Sequence, residues 1–264
     1  MVQKIDGRAI AERLKKQITK DIVKLKGPKP NLAIILVGER SDSKLYVSLK
    51  EKIGKEIGID THLYKLDSDT TEEKILEVIN FLNKDELIDG ILIQLPLPKK
   101  FNTDKIILAL DPKKDVDGFH PQHPDYLMSP VLASVLACLA EINFVIPGNT
   151  ASVFYNSEIF GLSVKKILEE RGAKVFLGNN SENSNLLISA QGKPKEIKKE
   201  MIKKDAVIID IGITTVKDRV WGDVDYQDVK NKAAFITPVP GGIGPMTIAF
   251  LFKNTWEIFK RRHK

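Results

Sequence analysis

From residue 8 onward the apolar positions Ile10, Leu14, Ile18, Ile22 and Leu25 recur every three or four residues, the repeat of an amphipathic helix. Asp6 is placed to cap its start and Gly27-Pro28 to end it. The pattern then changes. Leu32 to Val37 is a continuous apolar run that reads as a strand buried on both faces, and residues 42–57 return to helical spacing. His62-Leu63-Tyr64 lies within a short strand, Glu72 to Leu82 forms a helix, and Gly90 to Leu95 reads as another buried strand.

The alternation resumes after a long helical run from Val131 to Ile142. A strand over Ala151 to Tyr155 precedes a helix over Val164 to Arg171, and further strands follow at Lys174 to Leu177, Leu186 to Ser189 and Ala206 to Asp210. Apolar strands separated by helices predict an α/β fold with mainly parallel sheets covered on both faces. The expected architecture is two-lobed. An N-terminal α/β domain spans residues 1–127 and is completed by a C-terminal helix over 245–264. A Rossmann-like parallel-sheet domain spans 144–240, and long helices join the two.

Composition narrows the function classes. A chain of 264 residues with one cysteine, Cys138, and four histidines has no disulfide framework and no expected metal site. The N-terminus lacks the apolar stretch of a leader, and no run of about 18 apolar residues suggests a membrane span. A soluble cytoplasmic protein is expected. Net charge is +6, but the lysines are interspersed with glutamates, as in Lys198-Lys199-Glu200, so neither nucleic acid nor membrane is expected as a partner.

Four stretches carry candidate chemistry. Thr237 to Thr247 packs three prolines and three glycines into eleven residues ahead of an apolar helix, a backbone a flat ligand can approach closely at Gly241, Gly242, Gly244 and Pro245. Tyr46 and Lys50 are four apart, which sets a phenol beside an ammonium on one helix face; partial burial would lower the lysine pKa into a useful acid–base range. Gln94 ends an otherwise apolar strand, where open α/β sheets place ligands, and its amide needs a partner. Asp115-Val116-Asp117-Gly118 lacks the full ligand set of a calcium loop, leaving an Asx-turn or one carboxylate for a ligand's donor nitrogens.

Taken in order, the stretches Val37-Gly38 with Ser43, Tyr46 and Lys50, Gln94-Leu95-Pro96-Leu97-Pro98, Lys114 to Gly118, Asp210-Ile211-Gly212-Ile213, Gly222-Asp223-Val224-Asp225 and Thr237 to Thr247 are specific. Together they resemble the methylenetetrahydrofolate dehydrogenase/methenyltetrahydrofolate cyclohydrolase family over nearly the whole chain. The resemblance implies oxidation of 5,10-methylene-tetrahydrofolate with a nicotinamide cofactor, then hydration of the methenyl form to 10-formyl-tetrahydrofolate. It gives Lys50 the catalytic role, with Gln94 bonded to it, Tyr46 on the folate ring and Asp117 accepting from the pterin. It also implies NADP as cofactor, with contacts at Tyr155, Asn156, Ser157, Asn180 and Ile213, and a homodimer.

The family's nucleotide turn, Gly-Arg-Ser-x-x-Val-Gly-x-Pro, is here Tyr155-Asn156-Ser157-Glu158-Ile159-Phe160-Gly161-Leu162-Ser163. Tyrosine replaces the first glycine, asparagine the arginine that would pair with a 2′-phosphate, and Gly178-Asn179-Asn180 stands for the usual Cys-His-Ser. The linker motif Pro-Cys-Thr-Pro-x-Gly becomes Pro130 to Val135. NAD, or no nucleotide, is therefore an alternative to NADP, and a cyclohydrolase-only or non-catalytic folate-binding homologue is the alternative function.

Overall fold

The computed structural model describes residues 2–217 and 219–263. Along the chain run β1 (Gln3–Lys4), α1 (Gly7–Ile22), β2 (Asn31–Val37), α2 (Ser41–Ile57), β3 (Asp60–Leu66), α3 (Glu72–Lys84), β4 (Gly90–Ile93) and α4 (Thr103–Leu108). Then come α5 (Pro130–Glu141), β5 (Thr150–Tyr155), α6 (Glu158–Glu169), β6 (Lys174–Leu177), β7 (Leu186–Ala190) and β8 (Val207–Asp210). The chain closes with β9 (Thr214–Val216), β10 (Arg219–Trp221), α7 (Tyr226–Val229), β11 (Phe235–Ile236) and α8 (Ile243–Arg262). Two compact units result: Glu12–Pro130 with Ile248–Lys264, and Met1–Ala11 with Val131–Thr247.

In the unit built on Glu12–Pro130, β3, β2 and β4 form a parallel three-stranded sheet with β2 central. Alternation along β2 sorts its side chains onto two cores. Leu32, Ile34 and Leu36 face a cluster holding Ile18, Val47, Leu251, Phe252 and Phe259, while Ala33, Ile35 and Val37 face Ile75, Ile79, Leu82 and Ile106. Both faces are covered, which explains the unbroken apolar run. Thr71 caps α3 by accepting the Lys74 N–H, and Gly58 ends α2 in a left-handed conformation. Beyond β4 the chain returns alongside it, with the Ile91 N–H donating to the Lys114 carbonyl at 2.7 Å.

The unit built on Val131–Thr247 holds a parallel six-stranded sheet in the order β1-β11-β8-β7-β5-β6. Its winding reverses at β5, which leads through α6 to β6 on one side and borders β7 on the other. Asp6 caps α1 by accepting the Ala9 N–H, as its position suggests.

Several boundaries differ from the sequence expectation. β1, two residues long and exposed, pairs with β11, so the first residues belong to the larger sheet rather than to a domain running from residue 1. α6 begins at Glu158, six residues before the apolar spacing marks it, because Ser157 caps it there. β4 ends at Ile93, leaving Gln94 just past the strand. α1 ends at Ile22, with Leu25 packed against the core from the turn beyond.

Candidate functional site

Lys50 lies on α2 and is buried, though it carries the charge type least often found inside a protein. Its Nζ donates to Gln94 Oε1 at 2.7 Å, and Gln94 in turn donates from Nε2 to the Leu95 carbonyl at 2.8 Å. That second bond fixes which end of the amide faces the lysine, so Gln94 presents an acceptor. Burial lowers the Lys50 pKa, with the Asp117 charge working the other way. Tyr46, one turn earlier on α2, is half-buried and packs against the core cluster of β2 and α8.

Asp117 is half-buried, and its carboxyl is pushed up to about 7 by desolvation, opposed by Lys50 and reinforced by Asp115. Asp115 is fully buried. Its Oδ1 accepts the N–H groups of Asp117 (3.0 Å) and Gly118 (3.1 Å), and its Oδ2 accepts that of His120 at 2.7 Å. Asp115 is thus the Asx-turn former and Asp117 the carboxylate left for other work. Lys50, Gln94 and Asp117 are brought together, joined by the hydrogen bond and by the charge coupling just described.

Two residues support this group: Lys114, which opens the Lys114 to Gly118 stretch but had no role of its own in the sequence reading, and Asn254, which that reading missed. Lys114 buries its ammonium at the end of α3, where Nζ donates to the carbonyls of Leu82 and Asp85. Asn254, on α8, donates from Nδ2 to the carbonyls of Val116 (2.8 Å) and Met128 (2.9 Å), clamping the segment that carries Asp117. A polar residue inside the apolar run Ile248 to Phe259 is the signal that could have found it.

In the other unit, the glycines of Thr237 to Thr247 have separate causes. A side chain on Gly7 would overlap the Gly242 backbone, one on Gly242 would meet Pro238 and Thr237, and Gly241 (φ +108°) sits against Arg8. Those two are bare because the chain packs on itself. Gly244 is different: a methyl group there would meet only Ile213 Cδ1 at 3.6 Å, an ordinary contact. Ile213 and Gly244 are therefore neighbours, with Ile213 exposed and Pro245 half-buried in the first turn of α8.

Asp210 and Asp223 organise the ends of β7 and β8. Asp210 accepts the N–H groups of Gly212, Asp223 and Val224, and Asp223 accepts from the Ser189 hydroxyl and the N–H groups of Gln191 and Lys193. Burial and the neighbouring Asp223 raise the Asp210 pKa.

At the β5–α6 turn, Tyr155 packs its ring on Gly161, Asn156 donates from Nδ2 to the Gln191 carbonyl at 3.1 Å, and Ser157 caps α6. Asn180 follows β6 with φ +60° and accepts from Asn183 Nδ2 at 3.0 Å; no hydrogen bond joins it to Tyr155, Asn156 or Ser157 among the described residues.

Residues 5–117 match the tetrahydrofolate dehydrogenase/cyclohydrolase catalytic domain, and residues 130–263 match the NAD(P)-binding domain of the same proteins. The bifunctional protein FolD of Geotalea daltonii is 42% identical over 99% of this chain and 100% of its own length. Among solved structures, the bifunctional methylenetetrahydrofolate dehydrogenase/cyclohydrolase FolD of Campylobacter jejuni superposes with a TM-score of 0.94 at 33% identity, covering 99% of this chain and 100% of that one. The Trypanosoma brucei enzyme, complexed with NADP cofactor and an inhibitor, gives 0.93 at 31% identity and covers 98% of each. With both domain matches and full-length likeness in hand, the chain belongs to the tetrahydrofolate dehydrogenase/cyclohydrolase family.

Proposed function

We infer that the chain interconverts 5,10-methylene-, 5,10-methenyl- and 10-formyl-tetrahydrofolate, as a dehydrogenase and cyclohydrolase of one-carbon metabolism. The observation that carries the hydrolytic half is the buried Lys50 ammonium bonded to the Gln94 carbonyl oxygen at 2.7 Å. Hydration of the methenyl bridge requires a water to lose a proton as its oxygen bonds to the bridging carbon. As the carbon–N5 bond then breaks, the added hydroxyl gives up its remaining proton, N5 takes one, and the formyl group remains on N10 with one proton released overall. A lysine whose pKa is lowered by burial gives up its proton more readily; in its neutral form it can take the first proton and, once charged, can return one. Gln94 has no charge to compete for that proton and holds the Nζ in one place.

Asp117 is the group assigned to the pterin, because an ionised carboxylate accepts two donors in a fixed orientation. Tyr46 supplies a flat apolar surface for the ring, and the backbone of Gly241, Gly242, Gly244 and Pro245 remains assigned to substrate by resemblance. Of these, Gly244 is the position whose bareness the chain's own packing leaves unexplained.

Oxidation of the methylene form needs a hydride acceptor, which a nicotinamide nucleotide supplies when bound. The parallel sheet and its reversal at β5 suit such a nucleotide. The β5–α6 turn as arranged does not fit its pyrophosphate, since a tyrosine ring lies on Gly161 where bare backbone is needed. NADP is the cofactor by family likeness, but neither Tyr155 to Gly161 nor Gly178 to Ser184 contains a lysine or arginine for a 2′-phosphate. A cytoplasmic homodimer goes with this reading. The test is hydrolysis of 5,10-methenyl-tetrahydrofolate by the purified chain without nucleotide, followed by loss of methenyl absorbance: acceleration over the buffer rate is expected, and its absence would refute the assignment.

A further inference from the structure

Open parallel sheets take ligands in the crevice where the winding reverses, and a dinucleotide sets its pyrophosphate against the first turn of the next helix. In this chain side chains of the β5–α6 turn pack at that crevice. Tyr155 is the last residue of β5 and pairs in register with Ala190 of β7, across the reversal. Its ring lies over α6 so closely that a methyl group at Gly161 would come within 2.7 Å of Cδ1 and 2.8 Å of Cε1 and Cγ. Asn156 ties the end of β5 to Gln191, the residue after β7. Ser157 already accepts the Phe160 N–H, and Glu158 adds an exposed carboxylate to the first turn.

We propose that Tyr155 plugs the nucleotide subsite: its ring occupies the pyrophosphate's place over Gly161, and a nicotinamide dinucleotide binds only after the ring swings out. The chain therefore holds nucleotide weakly, and with no lysine or arginine in Tyr155 to Gly161 or Gly178 to Ser184 it distinguishes NAD from NADP poorly. This rests on the family reading for the existence of the subsite and is independent of the Lys50 chemistry. Tyrosine at this position thus separates the two halves of the enzyme, since hydrolysis needs no nucleotide.

The test is calorimetric titration of NADP and of NAD into the wild-type chain and into Y155G, Y155A, Y155F and E158Q, with methenyl hydrolysis measured on each as a check of fold. Removing the ring in Y155G and Y155A should tighten both nucleotides by about tenfold, the scale expected when an aromatic contact no longer has to be broken, while Y155F should match wild type. Y155G and Y155A variants that hydrolyse normally but bind no better than wild type overturn the proposal, as does a gain seen in E158Q alone. Should Y155G and Y155A lose hydrolysis, 3-fluorotyrosine labelling of the wild type decides. The Tyr155 resonance, identified by its absence in Y155F, shifts on saturation with NADP if the ring moves, and nucleotide binding that leaves it in place overturns the proposal. A wild type that hydrolyses nothing would count against the family activity, with the ring still read by calorimetry.

Discussion

Asp115 holds Asp117 through the main chain: one carboxylate oxygen accepts the N–H of the very residue whose side chain is assigned to substrate, at 3.0 Å. The two acids stand two residues apart and have opposite roles. Asp115 spends its acceptors on three backbone donors, and Asp117 keeps its own. Their charges also repel, which helps hold the Asp117 carboxyl near 7.

Asp115→Asn should therefore do two things. Its amide cannot satisfy all three N–H donors, so the turn loses at least one bond and KM for folate rises several-fold, about 1 kcal/mol for a strained or lost charge-assisted bond. Removing the charge also lowers the Asp117 pKa, so the midpoint of the KM–pH profile moves to lower pH. Steady-state kinetics from pH 5.5 to 8.5 reads both. A raised KM with an unmoved midpoint would mean that the turn matters but the charge does not.

The wild-type profile has a definite sign. Asp117 is protonated below about pH 7, and in its proposed role it accepts from pterin donors when ionised, so substrate binding should strengthen as pH rises through about 7. Stability runs the other way. The folded pKa lies above the ordinary 3.8, so the folded chain binds the extra proton between about 4 and 7, and this group's contribution declines as pH rises across that window. Asp117→Asn should flatten the binding profile and remove this part of the pH dependence in denaturant melts.

Asn254→Leu tests the clamp on the segment that carries Asp117. It leaves the carbonyls of Val116 and Met128 without their donor in the interior, a loss of about 2–6 kcal/mol at about 1–3 kcal/mol per unsatisfied group. Chemical denaturation measures it. Phe252→Ala, which empties a fully buried ring site in the adjoining core, should cost about 3–5 kcal/mol and leave the Lys50–Gln94 pair intact.

Legibility in the sequence followed locality. The strand Leu32 to Val37 was readable because both its faces are covered, and helix α3 because its apolar positions keep one period and Thr71 stands at its start. Lys50 and Gln94 were readable as types out of place: a lysine one turn from a tyrosine, and a glutamine ending an apolar strand. What was hidden depends on partners far along the chain. Gly7 is explained by the Gly242 backbone more than two hundred residues away, Asn254 reaches Val116, and the two-residue β1 carries too little pattern to be seen. The hairpin of β9 and β10 likewise gave no clear alternation.

The proposed role of the buried, Gln94-bonded Lys50 is to move the protons of methenyl hydration. Its most direct test is the hydrolysis rate of Lys50→Met, with folate binding measured in parallel on the same preparation. A general acid–base group is worth about 10²- to 10⁴-fold, so the rate should fall by that order while folate still binds within about tenfold of wild type. A Lys50→Met chain that hydrolyses 5,10-methenyl-tetrahydrofolate at the wild-type rate would contradict the account.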